Sequence, residues 1–149
     1  KQVPYCVLEP RGWTALLDAV GRAIIETTER LNQMPEAGRP GLIVFVIVTD
    51  GAENSSKEFT REKIKQMIQH QTDAHKWQFT FLGSGIDAFA EGAAMGIPRS
   101  AVLDYDANSN YKRALEAASA NVGRMREAKT SGAVASNLYT PEERESTQK

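Results

Sequence analysis

The run Leu42-Ile-Val-Phe-Val-Ile-Val48 decides the fold of this chain, because its seven apolar residues lead directly into Thr49, Asp50 and Gly51. Such a run, rich in β-branched residues and bounded by turn-forming Pro40-Gly41 and Asp50-Gly51, is typical of a strand covered on both faces in a parallel sheet. Ligands of open α/β sheets bind beyond the carboxyl ends of the strands. Asp50 is therefore a candidate site residue, although an Asp-Gly pair can also simply turn the chain.

Length and composition are those of one ordinary globular domain, with 149 residues, 41% hydrophobic and 25% charged. The net charge of −1 provides no basic surface of the kind that nucleic-acid binding needs. A single cysteine, Cys6, allows no internal disulfide, and two histidines do not make the usual zinc ligand set. No stretch approaches the ~20 apolar residues of a membrane helix. We therefore expect no nucleic-acid or membrane partner, and a cytoplasmic location.

Helical and extended patterns alternate along the chain after an extended segment at residues 5–10. Apolar residues at steps of three and four predict a first helix over residues 14–32, and a second helix is expected from Thr60 to about His75. The later elements are predicted as a strand at 77–82, a helix at 88–95, a strand at 101–103 and a helix at 111–125.

This order predicts an α/β fold with a doubly wound, mainly parallel sheet of the Rossmann-like type. From residue 127 onward the chain is polar and loses its periodicity. We therefore predict one α/β domain over residues 1–126, followed by a mobile polar tail or linker over residues 127–149.

Three segments together resemble the later half of a von Willebrand factor type A domain, in particular its bacterial and phage-type intracellular members. They are Arg11-Gly-Trp-Thr-Ala-Leu-Leu-Asp-Ala-Val20, Val46-Ile-Val-Thr-Asp-Gly-Ala-Glu-Asn-Ser55 and Phe79-Thr-Phe-Leu-Gly-Ser-Gly-Ile-Asp-Ala88. The resemblance covers about residues 5–126. It implies a metal-ion-dependent adhesion site, in which Mg²⁺ or Mn²⁺ is held above the sheet and an acidic side chain of a partner protein completes the coordination.

The resemblance assigns two metal ligands to this chain: Thr14 matches the family's threonine and Asp50 its second aspartate. A hydroxyl and a carboxylate suit Mg²⁺, which takes about six oxygen ligands and keeps several waters. Thr14 has a second interpretation as a helix N-cap. The loop residues expected to contact the partner protein are Gly12, Trp13, Gly51, Asn54 and Ser55.

Trp13 likewise has two interpretations. An exposed Trp13 would be an aromatic anchor of the kind enriched at protein interfaces. The alternative is that its ring folds back onto the helix that follows.

The chain also departs from the family, because it contains no Asp-x-Ser-x-Ser motif. With that motif the resemblance lacks the family's first, central strand, which would leave the strand at Leu42–Val48 bare at a sheet edge. We expect one of two arrangements. Either an amino-terminal complementing segment supplies the missing strand and metal ligands, or the chain pairs this edge with its own copy as a homodimer that has a vestigial site.

The function expected from these residues is protein–protein binding through a divalent-metal-dependent site that is incomplete in this chain. The alternative is a structural or assembly subunit with a vestigial metal site. A Mg²⁺-dependent phosphoryl-transfer enzyme is the third possibility, because an aspartate after a buried strand also suits that chemistry. No phosphate-binding loop and no paired nucleophile and base are present in the sequence, so we expect no catalytic activity.

Overall fold

The computed structural model describes residues 13–148, in which five α-helices alternate with three strands. The strands are β1 (Val44–Thr49), β2 (Gln78–Gly83) and β3 (Val102–Asp104). The helices are α1 (Leu16–Asn32), α2 (Arg61–His75), α3 (Ala88–Ala94), α4 (Tyr111–Thr130) and α5 (Pro141–Ser146). Short 3-10 helices lie at Glu36–Gly38 and Arg99–Ala101.

The three strands form one sheet in the order β1-β2-β3, and both pairs are parallel. In the register of the first pair, Val44 lies opposite Gln78 and Thr49 lies opposite Gly83. This is a mixed α/β fold with a small parallel sheet, as the sequence predicts. The doubly wound, Rossmann-like arrangement stays a prediction.

One face of the sheet packs against α1, α2 and α3. Ile24 of α1 and Ile64 of α2 are almost completely buried in the same apolar cluster as Phe81 of β2. Helix α3 approaches β3 closely because residue 92 is glycine: a Cβ atom there would lie 2.5 Å from Val102 Cγ2. Burial of these side chains is the main source of stability for this layer.

The opposite face packs against α4 through small residues. Ala114, Ala117 and Ala118 lie in a second cluster with Leu82 of β2 and Leu103 of β3. Alanines have short side chains, which allow a helix backbone to approach a sheet closely.

The chain after α4 packs against the outer side of β3, and we call residues 137–148 the carboxyl-terminal strap. Tyr139 is 4% exposed, and its hydroxyl lies 2.7 Å from Thr80 Oγ1 of the central strand. Thr147 is completely buried and donates a hydrogen bond to Asp104 O (2.9 Å). The sequence predicts a mobile tail or linker from residue 127. In the structure, α4 continues to Thr130 and the strap that follows packs against β3. Polar side chains here bond to backbone groups that are distant in sequence.

Strand β1 also differs from its prediction, because it is not covered on both faces by residues 13–148. It lies at an edge of the sheet, and Val46 and Val48 are 42% and 40% exposed. The predicted bare apolar edge is therefore present in the described part of the chain.

Helix boundaries agree with the prediction at α2, where Thr60 Oγ1 accepts a hydrogen bond from Lys63 N (3.2 Å). At α1 the N-cap position is Ala15, without a side-chain bond, so the interpretation of Thr14 as N-cap is wrong. Within residues 13–148, no helix combines the length and apolar character needed to cross a membrane.

Candidate site at the carboxyl ends of the strands

The amino-terminal end of α1 is joined to the loop after β1 by a reciprocal pair of hydrogen bonds. Thr14 N donates to Asn54 Oδ1 (2.9 Å), and Asn54 N donates to Thr14 O (3.1 Å). Two such bonds fix the backbone of Thr14 relative to the loop. Trp13, immediately before it, is 76% exposed, so its ring does not fold back onto α1.

Gly51 brings the two predicted ligand segments together. A Cβ atom at this position would lie 3.2 Å from Thr14 Oγ1, so a larger side chain would crowd the threonine hydroxyl. Thr49 fixes the same turn, because its hydroxyl donates a hydrogen bond to Gly51 O (2.8 Å). Asp50 lies between Thr49 and Gly51 and is therefore part of this constrained turn.

The loop after β1 is organised around the carboxylate of Glu53. Its Oε2 accepts a hydrogen bond from Leu17 N (2.9 Å) at the beginning of α1, and its Oε1 accepts bonds from the amides of Ser55 (3.0 Å) and Ser56 (2.7 Å). Partial burial acts to raise the pKa of Glu53, but the bonds from Ser56, Leu17 and Ser55 outweigh it and hold that pKa below its usual value. Glu53 is thus ionised at neutral pH and fixes the loop to a free amide of the helix.

Asp18 of α1 makes the same kind of contact in the opposite direction. Its carboxylate accepts hydrogen bonds from the backbone amides of Lys57 (2.8 Å), Glu58 (3.0 Å) and Phe59 (3.0 Å). The Lys57 bond is the largest influence that lowers the pKa of Asp18. Loop and helix therefore each supply a carboxylate to the amides of the other.

The Asp50 carboxylate takes no part in these hydrogen bonds. Asp50 is exposed, and within residues 13–148 its carboxylate accepts no hydrogen bond and joins no ion pair. The pKa of Tyr105 is raised mainly by burial and, to a smaller extent, by the nearby Asp50 carboxylate. Asp50 thus presents an unbonded carboxylate on the turn whose next residue, Gly51, lies against Thr14.

The structure places five of the seven predicted site residues on one continuous rim: Trp13, Thr14, Asp50, Gly51 and Asn54. Ser55 is half-buried beside them, with its amide bonded to Glu53. Gly12 lies outside the described residues.

The donor set fits Mg²⁺ in kind but not in number. A hydroxyl and a carboxylate are hard oxygen ligands, but the ion takes about six oxygens in an octahedron. The part of the chain described, residues 13–148, contains no group of three or more His, Cys, Asp or Glu residues arranged to hold a metal.

Sequence reasoning missed Glu53 and Asp18, which hold the rim in place. A signal for Glu53 was available, because a carboxylate followed by Ser55 and Ser56 in a turn finds several free amides nearby. No sequence pattern near Asp18 indicates its role, because its hydrogen-bond partners lie 39–41 residues later in the sequence.

Comparison of the chain with protein-family models, curated proteins and solved structures found no match.

Proposed function

We propose that this chain is part of a non-catalytic protein-binding module, in which the rim at the carboxyl end of β1 contacts a partner protein with the help of a divalent cation. The observation that carries the proposal is Asp50, an exposed carboxylate without a hydrogen-bond partner among residues 13–148, held on a fixed turn whose next residue, Gly51, lies against Thr14. A carboxylate that the fold fixes in position but does not itself bond is well suited to an external ligand.

The fixed loop favours binding because it reduces the entropy lost on association. The Glu53 and Asp18 carboxylates accept six backbone hydrogen bonds, four between α1 and the loop and two within the loop, which order the rim before a partner arrives. Trp13 supports the same proposal, since a largely exposed tryptophan at the rim is the residue type most enriched among interface hot spots.

In this proposal Asp50 and Thr14 supply two ligands, and the remaining protein ligands come from an amino-terminal complementing segment. Mg²⁺ or Mn²⁺ would supply a positive charge that attracts an acidic side chain of the partner. Gly12, Gly51, Asn54 and Ser55 would then decide which partner fits. Binding of the cation would be coupled to association with the complement.

The test is native mass spectrometry of the protein purified from its source, with and without Mg²⁺, on the wild type, Asp50→Asn and Asp73→Asn. Asp73 is an exposed carboxylate on α2, far from the rim in sequence, and serves as the matched control. We expect a second polypeptide in the wild type and a bound divalent ion that Asp50→Asn loses and Asp73→Asn keeps. The proposal would be contradicted by a single chain whose native mass and metal content are the same with and without Mg²⁺ and the same in the wild type and Asp50→Asn.

A structural or assembly subunit with a vestigial metal site is the second candidate. It is favoured by the donor count, since two oxygen ligands in residues 13–148 are too few for a cation. It predicts that Asp50→Asn leaves every association of the chain unchanged, which is the result that separates it from the adhesion proposal.

A further inference from the structure

Helices α1 and α2 lie side by side and run in the same direction. Near the beginning of both, Gly21 lies against Phe59, because a Cβ atom at residue 21 would be 2.6 Å from the Phe59 ring. Near the end of both, Gln71 Nε2 donates a hydrogen bond to Thr28 Oγ1 (3.2 Å). Between the two helices lies a cavity of about 410 Å³, which we call the α1–α2 groove.

The groove has apolar walls and a polar border. Ile24 is almost completely buried in the core, the neighbouring Ile25 is 41% exposed, and Met67 of α2 is half-buried. The exposed polar and charged side chains along the groove are those of Glu29, Lys63, Gln66 and His70. Its size and its mainly apolar walls are those of small-molecule sites, which occupy roughly 300–1,000 Å³ and contain a few polar groups that orient the ligand.

One of the polar groups at this groove is a buried amide carbonyl without a donor. Gln71 lines the groove and is 7% exposed, and its Oε1 accepts no hydrogen bond from residues 13–148. Leaving a buried acceptor unpaired costs free energy, and for that reason most buried polar side-chain atoms have a partner. The Gln71 carbonyl is therefore a group for which an external donor would be favourable.

Hydrogen bonds fix which atom of the Gln71 amide is unpaired. The Thr28 hydroxyl has one proton, and it donates that proton to Ile24 O (2.8 Å). The hydroxyl can then only accept a bond from Gln71, which places Nε2 against Thr28 and leaves Oε1 as the unbonded atom. The unpaired atom is an acceptor, so the partner that fits it is an N–H or O–H group.

We propose that the α1–α2 groove binds a small, uncharged and mostly apolar molecule whose single N–H or O–H group donates a hydrogen bond to Gln71 Oε1. The apolar part of this ligand would cover Ile25 and Met67. Met67 and Gln66 are unbranched, so their side chains can change rotamer to admit a ligand. The inference goes beyond the proposed function, because it uses no residue of the rim and no metal.

The chemistry of the groove separates this ligand from other occupants. Glu29 and Lys63 at its border have opposite charges, so the border favours neither a cation nor an anion. An ionised ligand would also lose its hydration beside a neutral carbonyl, which is costly. A helix of another protein would bring no free backbone donor, because its amides are bonded within the helix. A small neutral molecule can place its donor directly against Oε1.

The experiment is a titration of the full chain with indole and with benzofuran, followed by NMR of the backbone amides. The two probes share a flat bicyclic shape, but indole has an N–H donor where benzofuran has a ring oxygen. We expect indole to bind about fivefold more tightly than benzofuran or better, because only indole can satisfy a buried acceptor. The amide signals of Ile25, Met67 and Gln71 should shift with indole.

Two variants of Gln71 test the role of its carbonyl. Gln71→Leu and Gln71→Met remove the acceptor and keep a side chain of similar size, so the two probes should bind equally. Both variants should fold, since they remove an unpaired buried group. The matched control is Gln69→Leu, which changes an exposed glutamine of α2 outside the groove and should keep the preference for indole. Ile25→Trp should abolish binding of both probes, because the new ring would occupy the groove.

Four results would overturn the proposal. They are no saturable binding of indole, equal affinity of indole and benzofuran for the wild type, a preference for indole that persists in both Gln71 variants, and binding of the probes that Ile25→Trp leaves unchanged. Equal affinity would mean that a buried water satisfies the carbonyl in place of a ligand. Failure of metal binding in Asp50→Asn affects only the proposed function, because Asp50 does not line the groove.

Discussion

At the β3 edge of the sheet, the outward carbonyl of Val102 accepts a hydrogen bond from Arg144 (2.7 Å) and that of Asp104 accepts one from Thr147 (2.9 Å). At the β1 edge, the carbonyls of Ile43 and Thr49 accept hydrogen bonds from the side of β2, so the backbone groups of Val44, Val46 and Val48 face outward, with no strand beside them in residues 13–148. The covered strand combines two apolar residues with Asp104, whereas the bare strand is apolar except for Thr49 at its end. Protection of a sheet edge here comes from long-range side-chain bonds, which the hydrophobicity of the strand does not reveal.

The largest effect is expected at the covered edge. Tyr139→Ala removes a side chain that is 4% exposed and its contact with Thr80, so the free energy of unfolding should fall by about 3–5 kcal/mol in urea denaturation. The matched change at the bare edge, Val48→Ala, should cost less than about 1 kcal/mol, since Val48 is 40% exposed. Equal losses of unfolding free energy in Tyr139→Ala and Val48→Ala would contradict the difference between the two edges.

The next effect concerns the guanidinium of Arg144. Its three hydrogen bonds to the carbonyls of Val102, Arg99 and Ser100 cover the β3 edge. Arg144→Leu leaves these carbonyls without that donor and should lower the free energy of unfolding by about 2 kcal/mol. Arg144→Lys should restore only part of this loss, because an ammonium lacks the planar fork. A lysine variant as stable as the wild type would show that a positive charge, without the planar guanidinium, is enough to satisfy these carbonyls.

A smaller, pH-dependent effect belongs to the loop that borders the bare edge. The ordinary carboxyl pKa values are 4.5 for Glu53 and 3.8 for Asp18, and the folded protein lowers both. Their stabilisation is therefore complete above these ordinary values and is lost as pH falls through the lowered, folded-state values. Glu53→Gln should lower the free energy of unfolding by about 1 kcal/mol at pH 7. It should also flatten the pH dependence of that free energy between pH 5 and pH 3, measured by urea unfolding at each pH. An unchanged slope would mean that the Glu53 bonds contribute no stability.

The least change in stability is expected for a conservative substitution on the exposed face of β1. Val46→Thr keeps the β-branched shape and changes a half-exposed surface, so the free energy of unfolding of the chain alone should change by no more than about 0.5 kcal/mol. Thermal denaturation at equal protein concentration measures it. A loss above ~1 kcal/mol would mean that something already covers this face.

Local sequence determined the elements whose signals lie within a few residues. The apolar run at 42–48 predicted a parallel strand, and Thr60 predicted the beginning of α2, because strand periodicity and N-capping act over short separations. The prediction that Asp50 would stand free beyond β1 also follows from the sequence, since an aspartate after a parallel strand lies at the carboxyl edge.

Only the tertiary structure decided the beginning of α1, the strap and the bare edge. Leu17 N is bonded by Glu53, 36 residues away, so no local cap was needed at Thr14. Arg144 and Thr147 look like tail residues in sequence, because the carbonyls they bond lie more than 40 residues earlier. Burial of β1 depends on which neighbours are present, a property of packing that a strand's own residues cannot specify.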